Sequence, residues 1–162
     1  MEEYICTSTG KKYCLQHLKT HQLLLRHDGL KYNFTVYYSN HVYTAGNKTY
    51  ASNGSEPMNI GTNEYPRFFD LSRYEQSKKL KRITYDFGKL KFVKENKGDF
   101  FSFLTMPEDS FYEIYIKIKK KKSRWAITVR SAYTRTHPKP SKRDNLEKNG
   151  KYIFEHLLQE GS

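Results

Sequence analysis

The chain has 162 residues, enough for one domain with a real hydrophobic core and no need of disulfides or a structural metal. It carries 29 Lys and Arg against 17 Asp and Glu, a formal charge of +12, and its apolar content is led by 14 Tyr and 10 Phe. So many aromatic residues argue against a disordered chain, and no run approaches the ~20 apolar residues of a membrane span. The cationic surplus points instead to polyanionic partners.

The opening residues, MEEYICTSTGKKYC, are acidic and then polar, unlike a secretory leader. The expected location is therefore the cytoplasm, with free thiols, and the Asn-X-Ser/Thr triplets at Asn33, Asn47 and Asn53 read as incidental. Residues 4–13 predict a short strand–turn–strand about Ser8-Thr9-Gly10. CLQHLKTH follows as one or two helical turns, which would set Cys14, His17 and His21 on one face. With Cys6 these make a weak candidate zinc quartet, since the spacing leaves no folded loop between ligand pairs. Core thiols beside half-solvated imidazoles are the favoured reading, and no cofactor is expected.

Residues 22–39 alternate in the manner of a hairpin, with Asp28-Gly29 at its tight turn. Its second arm runs into Ser39-Asn40-His41-Val42-Tyr43-Thr44, where a polar cluster interrupts an aromatic strand. Two readings stand side by side there: an acid–base site around His41, or a strand-ending turn with a surface imidazole. Residues 45–66, rich in Gly, Asn, Ser and Thr, predict a long exposed loop, either a substrate-gripping lid or an insertion. Residues 70–80 predict a helix capped by Asp70, with Leu71, Tyr74 and Leu80 inward and Arg67, Arg73 and Lys81-Arg82 outward. Strands are expected over 83–93 and 99–106.

Residues 111–133 are the centre of the prediction. Tyr112, Ile114, Ile116 and Ile118 alternate with Tyr115, Lys117 and Lys119, and Trp125, Ile127 and Val129 alternate with Ala126, Thr128 and Arg130. One face would enter a core and the other would present Lys117, Lys119, Thr128, Arg130 and Ala132 outward. TRTHPKPSKR then reads as a stiff basic linker. Residues 144–159 have helical character, with Leu146, Ile153, Leu157 and Leu158 as the apolar stripe and Gly150 as its weak point. The predicted fold is α+β: an antiparallel sheet of about five to seven strands, one or two packed helices and a C-terminal helix. Residues 1–135 would form the domain, 136–143 the linker, and 144–162 a tail that docks on the sheet or on another protein, an antitoxin among the candidates.

No phosphate-binding Gly loop, nucleophile elbow or His-Glu zinc helix is present, and Asp99, Glu108, Asp109 and Glu113 are scattered among basic strands, unlike the clustered ligands of a two-metal nuclease. Metal-independent RNA cleavage demands less: a base for the 2′-hydroxyl, an acid for the leaving oxygen and a cation for the phosphate. His41, Arg130 and Tyr133 are the catalytic candidates if their strands are neighbours. Arg67, Arg73, Lys117, Lys119, Lys121, Arg124 and Arg135 are the nucleic-acid-binding candidates, with RNA favoured over DNA. For Arg130 and Tyr133 taken singly, a solvated sheet face and a core edge are the ordinary alternatives.

YYSNHVYT, RFFDLSRYEQSKKLKR and the late strand ending ITVRSAYTR resemble the barnase–EndoU–RelE superfamily of endoribonucleases, whose phage-encoded and toxin-like members often end a penultimate strand in Ser-Ala-Tyr or Thr-Ala-Tyr. The resemblance covers residues 41–135. It implies a toxin- or defence-like endoribonuclease, with His41 as base or acid, Arg130 as phosphate clamp and Tyr133 as hydrogen-bonding or stacking group. The loop 45–66 and the Cys/His segment depart from that pattern. The competing expectation is a non-catalytic nucleic-acid-binding or accessory inhibitor protein that grips phosphates through Lys117–Lys122 and Arg124, with neighbouring Tyr and Trp stacking bases.

Overall fold

The computed structural model describes residues 3–5, 10–46, 57–58, 67–108, 110–136 and 140–160. β1 (Glu3–Ile5) and β2 (Lys12–Cys14) pair antiparallel, and a 3₁₀ turn over Gln16–Leu18 leads to the hairpin β3 (His21–His27) and β4 (Leu30–Tyr38). Its turn places Asp28 at φ 47° and Gly29 at φ 75°, the left-handed pair that a type I′ connection requires. A second 3₁₀ turn, Asn40–Val42, precedes β5 (Thr44–Ala45), which forms a small sheet with β6 (Pro57–Met58) and β7 (Arg67–Phe69). Two short helices follow, α1 (Leu71–Ser77) and α2 (Leu80–Tyr85). Then come β8 (Lys91–Asn96), β9 (Asp99–Met106), β10 (Ser110–Lys121) and β11 (Arg124–Arg135), and finally α3 (Pro140–Asn149), β12 (Lys151–Tyr152) and α4 (Ile153–Glu160).

The main sheet has seven strands in the order β12-β8-β9-β10-β11-β4-β3. Its pairs are antiparallel, as the alternation predicts, except that β11 runs parallel to β4, from Trp125 beside Phe34 to Val129 beside Tyr38. Local pattern carries no information about that pairing, because the two strands belong to hairpins far apart in the chain. The α+β architecture with a C-terminal helix is as expected.

One face of the sheet holds the core. Phe34, Val36, Ile114, Ile116, Ile127 and Val129 are each at most 1 % exposed, and Leu80, Phe87, Ile153 and Leu157 pack over them from the helical side. Burial of this aromatic and β-branched set supplies the main driving force for the fold. α4 spans the face: Phe154 stacks on His27 at 4.7 Å, and His156 lies 5.1 Å from Phe100 with its Nε2 3.1 Å from the Phe92 carbonyl. The tail therefore docks on its own sheet.

Several expectations are corrected. Ile83 lies in α2 rather than in a strand, because the helical run continues past Leu80. Leu71 is 49 % exposed, so only Tyr74 and Leu80 of the expected trio point inward. Pro140–Arg143 form the first turn of α3 rather than a linker, consistent with proline's fit to a helix start, where its missing N–H costs nothing. The tail is two helices divided at Gly150. Leu158 is exposed, and Phe154 and His156 are buried in addition to Leu146, Ile153 and Leu157. The long loop includes a two-residue strand at Pro57–Met58, and most of its remainder lies outside the described residues.

Candidate functional site

A cleft of about 530 Å³ opens on the sheet face opposite the helical core, lined by Ser39, His41, Glu95, Asp99, Arg130 and Tyr133 among others. The three residues selected as catalytic candidates therefore share one cavity. Two features of the backbone bring them there.

The first is the parallel ladder. Because β4 and β11 run the same way, both carry their C-terminal halves to the same end of the sheet, and the turn that bears His41 lands beside β11. Ser39 ends the strand, and its Oγ accepts from the His41 amide at 3.3 Å to start the turn. The second is a β-bulge. Tyr115 pairs with Ser131 while the next residue, Ile116, pairs with Val129, so Arg130 is the extra residue and the alternation shifts by one. Ile127 and Val129 face the core before the bulge, and Ala132 faces it afterwards at 0 % exposure. This corrects the expectation that Ala132 points outward. In its place Arg130, Ser131, Tyr133 and Arg135 all line the cleft.

Arg67 and Arg73 are not outward-pointing cations. Arg67 donates through Nε to Thr44 Oγ1 (3.0 Å) and through Nη2 to the Thr44 carbonyl (2.8 Å). Arg73 Nη1 donates to the carbonyls of Thr44 (2.7 Å) and His41 (3.2 Å). Its guanidinium also lies 4.7 Å from the centre of the Tyr133 ring. Both arginines thus brace the backbone of the His41 turn. Asp70 caps α1 by accepting from the Arg73 amide at 3.0 Å, which fixes where that arginine enters.

Electrostatics follow from this packing. His41 is held below the ordinary imidazole value of 6.5, first by burial and then by Arg67, Arg73 and Arg130. A neutral ring is thus favoured at neutral pH, the state that can accept a proton. Arg130 Nη1 bonds Asp99 Oδ1 at 3.1 Å, and Lys117 Nζ sits 3.7 Å from the same oxygen. Arg135 Nη2 donates to the Tyr133 hydroxyl at 3.1 Å, and Arg135 Nε lies 3.1 Å from Oε2 of Glu113, a carboxylate only 1 % exposed. Tyr115 donates to the same Glu113 oxygen at 3.1 Å, and burial raises its phenol above the usual range. Lys142 of α3 reaches over this floor, bonding Glu95 Oε1 (2.6 Å) and Tyr115 Oη (3.1 Å) while lying 4.7 Å from the centre of the Phe101 ring.

Sequence reasoning missed Glu95, Tyr115 and Lys142, and it treated Asp99 and Glu113 as scattered. The available signal was period two: Glu113, Tyr115 and Lys117 share a face by alternation, and Asp99 starts the strand that pairs with β10 at Lys117.

The remaining basic candidates divide. Lys119, Lys121 and Arg124 are exposed at the β10–β11 turn, about 35 Å along the hairpin from Arg135. Trp125 is not a free stacking platform, since it packs toward Phe34 on the core side with Lys120 over its ring. Of the candidate zinc quartet, Cys6 lies outside the described residues. Cys14 is in β2, His17 in a 3₁₀ turn and His21 in β3, so they do not share a helix face. His17 Nε2 is instead 2.8 Å from Ser77 Oγ, and His21 Nε2 is 3.2 Å from Thr84 Oγ1. Among the described residues no group of three His, Cys, Asp or Glu is arranged to hold a metal ion. None of the described helices is long and apolar enough to cross a membrane.

Comparison with known proteins places the chain in one family. The YjaZ family's sequence profile matches residues 5–161, nearly the whole chain, which therefore belongs to the YjaZ family. No curated protein and no solved structure matches it.

Proposed function

We propose that this YjaZ family member binds RNA and cleaves it at the His41 cleft by acid–base chemistry that needs no metal, in the manner of a toxin- or defence-like endoribonuclease. The observation that carries the reading is the meeting of a lowered-pKa imidazole, a guanidinium and a phenol in one cavity. Neutral His41 takes the proton from a ribose 2′-hydroxyl, and the freed oxygen attacks the adjacent phosphorus. Arg130 turns from Asp99 toward the phosphate and stabilises the extra negative charge. The Tyr133 hydroxyl, already accepting from Arg135, gives its own proton to the departing 5′-oxygen. The P–O5′ bond breaks and a 2′,3′-cyclic phosphate remains. The pattern-level resemblance of residues 41–135 to the barnase–EndoU–RelE superfamily, read from the sequence alone, points the same way.

A second reading, binding without cleavage, is favoured by a specific observation: Asp99 and Glu113 already engage Arg130 and Arg135. Incubation with total cellular RNA in chelator, wild type beside His41→Ala, separates the two. Cyclic-phosphate ends from the wild type alone support cleavage. Intact RNA at high protein concentration removes it and leaves the binding reading.

A further inference from the structure

Beyond the cleft, the outer face of β3, β4, β11 and the adjoining half of β10 carries in-register rows that no sequence window reveals. Gln22, Thr35, Ala126 and Lys119 lie across the sheet in one row, and Tyr37, Thr128 and Lys117 in the next. Arg26 pairs with Lys31 and Lys121 with Arg124, so further cations border the same surface. The packed helical core lies on the opposite side. Arg26, Lys31 and Lys119 remain exposed, and Tyr37 is 44 % exposed with its ring on this outer face. Asp99, beside Lys117, is the acidic residue these rows meet.

We infer that this open sheet face is a docking track for single-stranded RNA, with Tyr37 as the base-stacking platform and Arg26, Lys31, Lys119 and Arg124 as phosphate contacts, feeding the strand into the His41 cleft. The charge is complementary to a polyanion, and an exposed aromatic ring on the same open sheet face as a run of cations is an arrangement by which strand-binding proteins hold unpaired bases. Continuity with the cleft is built into the chain. Tyr37 stands two residues before Ser39 and Thr128 two before Arg130, and both Ser39 and Arg130 line the cavity. A duplex hides its base faces and gains nothing from Tyr37, so the surface selects single strands. An acidic protein would use the cations but not the ring.

The inference rests on the RNA reading of the cleft, and its test is arranged so that the two fail separately. Binding of a fluorescent uridine homopolymer is measured by anisotropy at low and moderate salt in a His41→Ala background, so that no strand is consumed. The expected result is a loss of about 10-fold on Tyr37→Ala, retention on Tyr37→Phe, and a shallower salt slope when Arg26 and Lys31 are both changed to Glu. Because Tyr37 is surface-exposed, an unchanged circular dichroism spectrum certifies the fold of each variant. Tyr37→Ala binding as tightly as its parent, duplex RNA binding better than the single strand, or polyglutamate displacing the RNA only from the parent and not from the Arg26/Lys31 variant while Tyr37→Ala is silent, would each overturn the track. Intact RNA in the chelator assay together with a Tyr37-dependent affinity would sink cleavage and keep the track. Cleavage with an unchanged KM in Tyr37→Ala would do the reverse.

Discussion

The amide of Ser39 donates to the carbonyl of Val129 at 2.9 Å, continuing the parallel ladder between β4 and β11 past the last residue of β4. This bond holds the start of the His41 turn against the strand that carries Arg130, and the bulge at Arg130 follows immediately. The candidate site is thus a property of how two hairpins meet, and its chemistry inherits the rigidity of the sheet.

Gly150 should tolerate no side chain. A Cβ there would run into the carbonyl oxygen of Leu146, to which the Gly150 amide bonds at 3.0 Å as α3 ends. Gly150→Ala is expected to destabilise the protein by about 1–3 kcal/mol, as overpacking of this kind does, read as a lower urea midpoint with an unchanged slope. An unchanged midpoint would show that the α3–α4 junction relaxes freely.

Acid should weaken the fold through three histidines. His17, His21 and His41 are all held below 6.5, in each case first by burial. Lys78 adds to the effect at His17, Lys81 at His21, and Arg67, Arg73 and Arg130 at His41. The unfolded chain therefore binds protons that the folded chain refuses, and stability rises with pH in this window. The contribution is intact above 6.5 and is lost as pH falls from there through the lower folded values. Urea midpoints between neutral pH and mild acid should decline, and the decline should be shallower in His17→Gln. A flat profile would contradict the lowering of these imidazoles by partial desolvation and neighbouring cations.

Removing Arg135 should expose the cost of Glu113. That carboxylate is 1 % exposed and its Oε1 has no hydrogen-bond partner, so it depends on Arg135 and the Tyr115 hydroxyl. Arg135→Ala is expected to cost about 2 kcal/mol, discounted from a fully buried pair because Arg135 itself reaches solvent. Pairing that change with Glu113→Gln should restore much of the loss, a double-mutant cycle that thermal unfolding can read.

Asp70→Ala should do two things at once. Loss of the cap is worth about 1 kcal/mol of stability. Asp70 Oδ2 also lies 3.7 Å from Arg73 Nε, so its removal leaves more of that cation's field on His41. The imidazole titration followed by NMR should move further downward, and an upward move would mean that Arg73 leaves the His41 turn once uncapped.

The hairpins, the Asp28-Gly29 turn, the Asp70 cap and the residue types around His41 were legible from the chain alone. Each is a local matter, set by period-two alternation, by backbone angles that Gly and Asp accept, or by a side chain reaching its own helix. What the chain concealed was non-local or depended on a single inserted residue. No window of sequence says that β11 lies parallel to β4, and without that neighbour His41 and Arg130 are unrelated. Nor does composition mark Arg130 as a bulge, although that one residue reverses the parity of every side chain after it. It buries Ala132 and brings Ser131, Tyr133 and Arg135 into the cleft. The acidic partners that neutralise the cations were hidden for the same reason: strand pairing, rather than proximity in the chain, sets Asp99 beside Lys117 and Arg130. Sequence therefore determined which segments became strands and which groups were available. The order of strands in the sheet, decided by burial of the shared core, determined which of those groups met.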